Sequence, residues 1–209
     1  MKYKQFIINY AGNKYKETKK IENINLDGIK TIIEPFGGSF GFSRYCFYNL
    51  ELTDKEYIIY DYNEKLINFY KEIQKLVIND KINDLIKEHT KEVDYMNKTF
   101  IYKGKSKHKQ NKNLDKKQCV KYIETIKNKL LVFMFINITT NGFFNLYHKK
   151  KCDFEIFKHC KFINKDFSNE DLSIFGKDSF FYLDPPYVMS CNGFYGDIGS
   201  IDNIYKKMY

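Results

Sequence analysis

Thr31-Ile32-Ile33-Glu34-Pro35-Phe36-Gly37-Gly38-Ser39-Phe40-Gly41 is the stretch from which the fold is read. A short β-branched run ends on an acid and passes into a glycine-rich turn. That pattern predicts a buried strand, a turn and then a helix reaching about Leu50. Downstream, Glu56-Tyr57-Ile58-Ile59-Tyr60-Asp61 reads as a second strand closing on an acid. From Glu64 the apolar residues Leu66, Ile67, Tyr70, Ile73, Leu76 and Val77 return at helical spacing. Strand, glycine turn, helix, strand and helix in that order predict right-handed βαβ crossovers and a parallel sheet.

Further along, residues 103–117 are crowded with lysine, asparagine and histidine and have no apolar period, so they read as a basic loop. One helix is expected after it, carrying Val120, Ile123, Ile126, Leu130, Phe133 and Met134. Two more strands follow. Lys161-Phe162-Ile163-Asn164 ends near Asp166, and Ser179-Phe180-Phe181-Tyr182-Leu183 runs straight into Asp184-Pro185-Pro186-Tyr187. The expected layout is an α/β sheet interrupted by a basic, mostly helical insertion. Residues 1–79 and 160–209 would form the sheet unit, and residues 80–159 the insertion.

A chain of 209 residues with a 43% hydrophobic share suits one domain with an inserted subdomain and a real core. The net charge of +9 suits a polyanionic partner such as nucleic acid. A skewed coding composition also yields a chain rich in lysine, asparagine, isoleucine and tyrosine, so charge alone does not decide. Arg44 is the only arginine. Lysine holds phosphates as a point charge but lacks the planar fork that reads guanine edges. The five cysteines form no CxxC pair, and Cys152, His159 and Cys160 match no zinc spacing; a reduced intracellular chain without metal is expected. No N-terminal stretch has the apolar core of a signal peptide. The longest apolar run, residues 130–138, is far too short to span a membrane, so the expectation is a soluble, intracellular protein.

Two places carry chemistry. Asp61 lies 24 positions beyond Gly37, at the tip of the strand after the glycine turn. Glycines let a backbone approach a ligand, and an acid so placed bonds ribose hydroxyls. The turn is not GxGxxG, and no Lys-Ser/Thr follows it as in a P-loop, so the ligand class stays open on these features. Asp184-Pro185-Pro186-Tyr187 is the more specific signal. Consecutive prolines have fixed φ and no N–H, so the turn is rigid and offers acceptors without local donors. Asp184 adds an anionic acceptor and Tyr187 a flat face. An amino group needs two acceptors and a planar base needs a stacking surface.

Joined with Glu34-Pro35-Phe36-Gly37-Gly38-Ser39, the Asp-Pro-Pro-Tyr turn resembles the Dam-like (D12 class) DNA adenine-N6 methyltransferases. Tyr10-Ala11-Gly12-Asn13-Lys14 looks like that family's opening motif, whose lysine and neighbouring aromatic help hold the methyl donor. Asp61-Tyr62-Asn63-Glu64-Lys65-Leu66-Ile67-Asn68-Phe69-Tyr70 is similar to its Asp-x-Asn-x-x-Leu-Ile-x-x-Tyr segment, where the first acid binds ribose. Asn164-Lys165-Asp166-Phe167 looks like the segment whose Asp-Phe pair contacts the donor's adenine. The resemblance spans residues 10–187, with five segments in the family's order. It implies a Rossmann-like S-adenosylmethionine-dependent sheet, with Tyr10, Lys14, Glu34, Phe36, Gly37, Gly38, Ser39, Asp61, Asp166 and Phe167 at the donor. It further implies Asp184, Pro185, Pro186 and Tyr187 at the adenine, no metal, and double-stranded DNA as partner with the base flipped out; a monomer is expected.

There are departures from the family pattern. Phe40 stands where a glycine is frequent. Asn141-Gly142-Phe143-Phe144 only loosely matches the Asn-Gly segment of the recognition region, whose arginine is absent; Lys149, Lys150 and Lys151 would stand in for phosphate contacts. Only 22 residues follow Tyr187, which suggests a chain short of the family's last strands. Rival readings are therefore a methyltransferase remnant that binds donor or DNA without turnover, an enzyme acting on RNA or a protein amide, and, weakest, a nicotinamide oxidoreductase.

Overall fold

The computed structural model describes residues 6–8, 15, 24–100, 115–135 and 152–185. Strand β1 (Thr31–Glu34), helix α1 (Gly41–Asn49), strand β2 (Glu56–Asp61) and helix α2 (Glu64–Ile78) come first. Helices α3 (Ile82–Thr99), α4 (Lys116–Thr125) and α5 (Lys129–Phe135) come next, and strands β3 (Cys160–Asn164) and β4 (Ser179–Phe181) follow. The strands lie in the order β3-β2-β1-β4, and every neighbouring pair is parallel. The chain steps outward from β1 to β3 and then returns to the far side of β1 for β4. The switch of direction therefore falls between β1 and β4, the place where open α/β sheets of this kind bind ligands at the C-terminal ends of their strands. This is a Rossmann-like α/β fold.

Strand alternation divides the core. Ile32, Tyr57, Ile59 and Phe162 join the large cluster that contains the buried faces of α1 and α2. Ile33, Ile58 and Tyr60 point to the other face, where Phe167, Phe175 and Phe181 pack on them. In α2 the predicted periodicity is realised: Leu66, Ile67, Tyr70, Ile73 and Val77 are buried. Each large apolar side chain so buried contributes about 1.5–3 kcal/mol. Asn63 caps this helix by accepting from the Leu66 N–H at 3.1 Å, a bond worth about 1 kcal/mol.

Helices α3, α4 and α5 share the sheet's core. Phe133 of α5 stacks on Phe69 of α2 at 4.4 Å, and His89 of α3 stacks on Phe135 at 4.6 Å. Met96, Ile123 and Leu131 belong to the same cluster as Ile32. The single helix expected through residues 120–134 is broken in two. Asn128 accepts from the Leu130 N–H at 3.0 Å and donates to Glu88 at 3.0 Å, and such a local side-chain bond competes with helix continuation. Lys116 and Lys117, expected in the basic loop, start α4 instead, because Asp115 accepts from the Gln118 N–H at 3.1 Å and caps it. Residues 103–114 lie outside the described residues. Strand β4 is shorter than the aromatic run that predicted it, although the Tyr182 N–H still reaches the Ile33 carbonyl at 2.9 Å. Among the described residues, no helix is long and apolar enough to cross a membrane.

Candidate active site

The glycine turn after β1 is drawn tightly over the tip of β2. The Gly37 N–H donates to the Tyr60 carbonyl at 2.7 Å. A Cβ on Gly37 would stand 2.8 Å from that carbonyl oxygen and overlap the Ile59 methyl, so only glycine fits. Gly38 adopts φ 46°, the left-handed region that glycine enters without strain. Phe40 adopts the same region, with φ 38° and ψ 51°, yet carries a full side chain. Its ring is completely buried and meets Phe6, Tyr70, Phe157 and Phe162 at centroid distances of 5.1–5.6 Å. Aromatic packing thus holds a backbone conformation that costs about 1–3 kcal/mol for a residue with a Cβ.

Asp61 ties the turn to the sheet. One carboxylate oxygen accepts from the Gly38 N–H and the other from the Asn63 N–H, both at 2.8 Å. Burial pushes this carboxyl above its ordinary value, and the two N–H donors pull it back. Each carboxylate oxygen keeps a further lone pair for a ligand hydroxyl. Asn164, at the end of β3, donates from its amide to the Asp61 and Tyr62 carbonyls, each at 3.0 Å, and so anchors the next strand tip.

Glu34, the last residue of β1, is 3% exposed and accepts from the Ser43 N–H of α1 at 2.5 Å. Burial pushes its carboxyl up to about 7; the Ser43 bonds oppose this, the Asp184 charge adds to it, and Arg44 lowers it. Glu34 therefore feels Asp184 across the β1–β4 boundary. Tyr182, two residues before Asp184, stacks on Phe42 of α1 at 4.3 Å with the rings 3° from parallel, and Phe180 stacks on the same ring at 5.6 Å. These contacts fix the exit of β4 against the helix that follows the glycine turn. Glu34, the glycine turn, Asp61 and the half-buried Asp184 and Pro185 accordingly gather at one edge of the sheet.

Phe36 is half-buried and Ser39 buried within the turn. Asp166 and Phe167 follow β3. The Asp166 carboxylate accepts from the Ser168 N–H at 2.9 Å, and the Phe167 ring meets Tyr60 at 5.3 Å on the second face of the sheet. Tyr10, Lys14, Pro186 and Tyr187 lie outside the described residues, as do Asn141, Phe143 and Lys149. In the sequence Tyr70 reads as a core position and as the last residue of the Asp-x-Asn-x-x-Leu-Ile-x-x-Tyr segment, with no role for its hydroxyl. Its hydroxyl donates to the Gly38 carbonyl at 2.6 Å and pins the turn from below. The signal was present, since Tyr70 closes the Asp-x-Asn-x-x-Leu-Ile-x-x-Tyr spacing. Ser43 and Asn164 gave no comparable signal.

An edge that gathers three carboxylates beside a glycine turn suits a ligand bearing both positive charge and ribose hydroxyls. No curated protein matches the chain. The family model for D12 class N6 adenine-specific DNA methyltransferases matches residues 10–203, across the glycine turn, both strand-tip acids and the proline turn, and the chain therefore belongs to the D12 class N6 adenine-specific DNA methyltransferases.

Proposed function

We propose that the protein transfers the methyl group of S-adenosylmethionine to the exocyclic N6 amino group of adenine at a defined site in double-stranded DNA. The observation that carries this reading is Asp184 at the exit of β4, which pairs with β1 and is stacked through Tyr182 on Phe42 of α1, the helix whose Ser43 holds Glu34 at the tip of β1. The donor fits the chemistry of this edge: Asp61 would hold its ribose hydroxyls, Glu34 would face its positive charge, and the turn from Phe36 to Ser39 would border it. Tyr10, Lys14, Asp166 and Phe167 complete the assigned donor set, and no metal is required. When bound, S-adenosylmethionine supplies an electrophilic methyl on a sulfonium.

Asp184 and the Pro185 carbonyl accept the two hydrogens of the adenine amino group. Those bonds draw the nitrogen lone pair out of conjugation with the ring and toward the methyl. As the methyl passes from sulfur to nitrogen, leaving a neutral thioether, the positive charge on nitrogen lies beside the Asp184 carboxylate, the kind of preorganised electrostatic term that dominates many enzymes. That charge is discharged when one amino proton leaves by way of Asp184 to solvent. Holding both reactants at one sheet edge supplies much of the remainder. A target inside a duplex is out of reach, so the adenine flips out and Tyr187 stacks on it, with Pro186 stiffening the turn. Residues 80–159 are assigned to target recognition, with the basic residues 103–117 following phosphates in a salt-dependent manner. The catalytic unit is residues 1–79 and 160–209, acting as an intracellular monomer.

Incubation with methyl-labelled donor and unmethylated duplex DNA, followed by nucleoside analysis, tests the reading. Label in N6-methyladenine at one sequence context is expected. Donor or DNA binding without label would identify a remnant, and label confined to RNA or protein would move the activity to another substrate.

A further inference from the structure

Of the 35 lysine and arginine side chains in the chain, the one arginine, Arg44, is 2% exposed. It lies on α1, and its guanidinium carbon stands 4.1 Å from the centre of the Phe6 ring and 4.8 Å from that of Tyr15. Both rings come from the N-terminal stretch, and in sequence they flank Tyr10 and Lys14. Each ring is tied in further. Phe6 meets Phe40 edge-on at 5.1 Å, which places it against the glycine turn. The Tyr15 hydroxyl donates to Asn49 at 2.5 Å, and its ring meets Tyr45 at 6.2 Å, both on α1. A cation between two aromatic faces, away from water, is among the stronger forms of this interaction. The guanidinium can stack because it is planar and weakly hydrated, and an ammonium cannot reproduce that. A chain that uses lysine at every other cationic position has arginine at the one place where a flat cation is needed.

The same helix reaches the donor edge directly. Ser43, next to Arg44, donates to Glu34, and the Arg44 charge lowers the Glu34 carboxyl. We propose that Arg44 is a positioning residue for the methyl donor, clamping Phe6 and Tyr15 on α1 and so holding the glycine turn and Glu34 in place at the donor edge. The proposal rests on the assignment of the edge from Glu34 to Asp61 to the donor.

Calorimetric titration of the full chain with S-adenosylmethionine, paired with steady-state kinetics, tests it. Arg44→Lys keeps the charge and loses the two-faced stack; its donor Kd and KM should rise about 10-fold, with kcat at saturating donor within about twofold of the parent. Tyr15→Phe keeps the ring and should bind as the parent does, whereas Tyr15→Leu should weaken as Arg44→Lys does. If Arg44→Lys does not fold, the Tyr15 pair decides alone, and equal affinities in Phe and Leu overturn the proposal. It is also overturned if Arg44→Lys lowers kcat and leaves the donor KM unchanged. Asp61→Asn separates the two levels. Donor binding weakened in Asp61→Asn but intact in Arg44→Lys and Tyr15→Leu overturns only the role of Arg44. Parental affinity in Asp61→Asn overturns the donor assignment beneath it.

Discussion

The turn after β1 and the start of the turn after β4, Asp184 and Pro185, lie at the same edge of the sheet but are stiffened by different means. The first is held from outside: Gly37 donates to Tyr60, Gly38 donates to Asp61 and accepts from Tyr70, and Glu34 accepts from Ser43. The second draws its rigidity from covalent structure, since proline rings fix φ and remove donors. Substitutions in the glycine turn should therefore reach folding stability, because its shape is the sum of non-covalent bonds. Substitutions in the proline turn should reach chemistry first. At Asp184 the side chain is half-buried at the sheet edge, and its removal opens no core cavity.

The contrast is broken most severely at Phe40. Phe40→Ala should cost about 3–5 kcal/mol, because it empties the centre of four aromatic contacts. Phe40→Gly should cost about 1 kcal/mol less than Phe40→Ala, since glycine enters φ 38° freely. Urea unfolding of the pair measures the difference, and equal midpoints would show that the turn stores no strain.

Glu34 gives the next effect, and it depends on pH. Its carboxyl rises from an ordinary 4.5 to about 7 in the folded protein, chiefly through burial. A carboxyl raised on folding favours the folded state fully below its unfolded value, and that advantage is lost as pH climbs through the folded value. The wild type should therefore lose up to about 3 kcal/mol from this group between pH 4.5 and 7, relative to Glu34→Gln. Unfolding midpoints at pH 4.5 and 8 check this; a gap between the two proteins that does not widen toward pH 8 contradicts it. Smallest is Tyr70→Phe, which deletes the hydroxyl bond to Gly38 and should cost about 1 kcal/mol in the same assay.

The comparison also shows what the sequence made legible. The β1–α1–β2–α2 order, the parallel sheet and the glycine turn could be read because apolar periodicity and glycine punctuation report burial and backbone conformation directly. The aromatic strand β4 was equally plain, and of the proline turn expected after it the described residues reach Asp184 and Pro185. The contacts that hold the site together were harder to see. Tyr70 follows the apolar period of α2, so the pattern hides the hydroxyl at its tip. Phe40 looked like a departure from a glycine position, and only its packing explains how a left-handed residue can carry a ring. The break between α4 and α5 arises from one Asn128 side chain in an otherwise continuous apolar pattern. Arg44 stood out in the sequence by its rarity, but its two aromatic partners come from a distant part of the chain.

In the proposed mechanism Asp184 is the acceptor that turns an adenine amino group into a nucleophile. Single-turnover methylation of a duplex containing the target adenine, measured for the wild type and Asp184→Ala at saturating donor, tests it most directly. Asp184→Ala should bind donor with unchanged affinity, unfold at the wild-type midpoint and methylate about 1,000-fold more slowly or less. Methylation by Asp184→Ala within tenfold of the wild-type rate would contradict it.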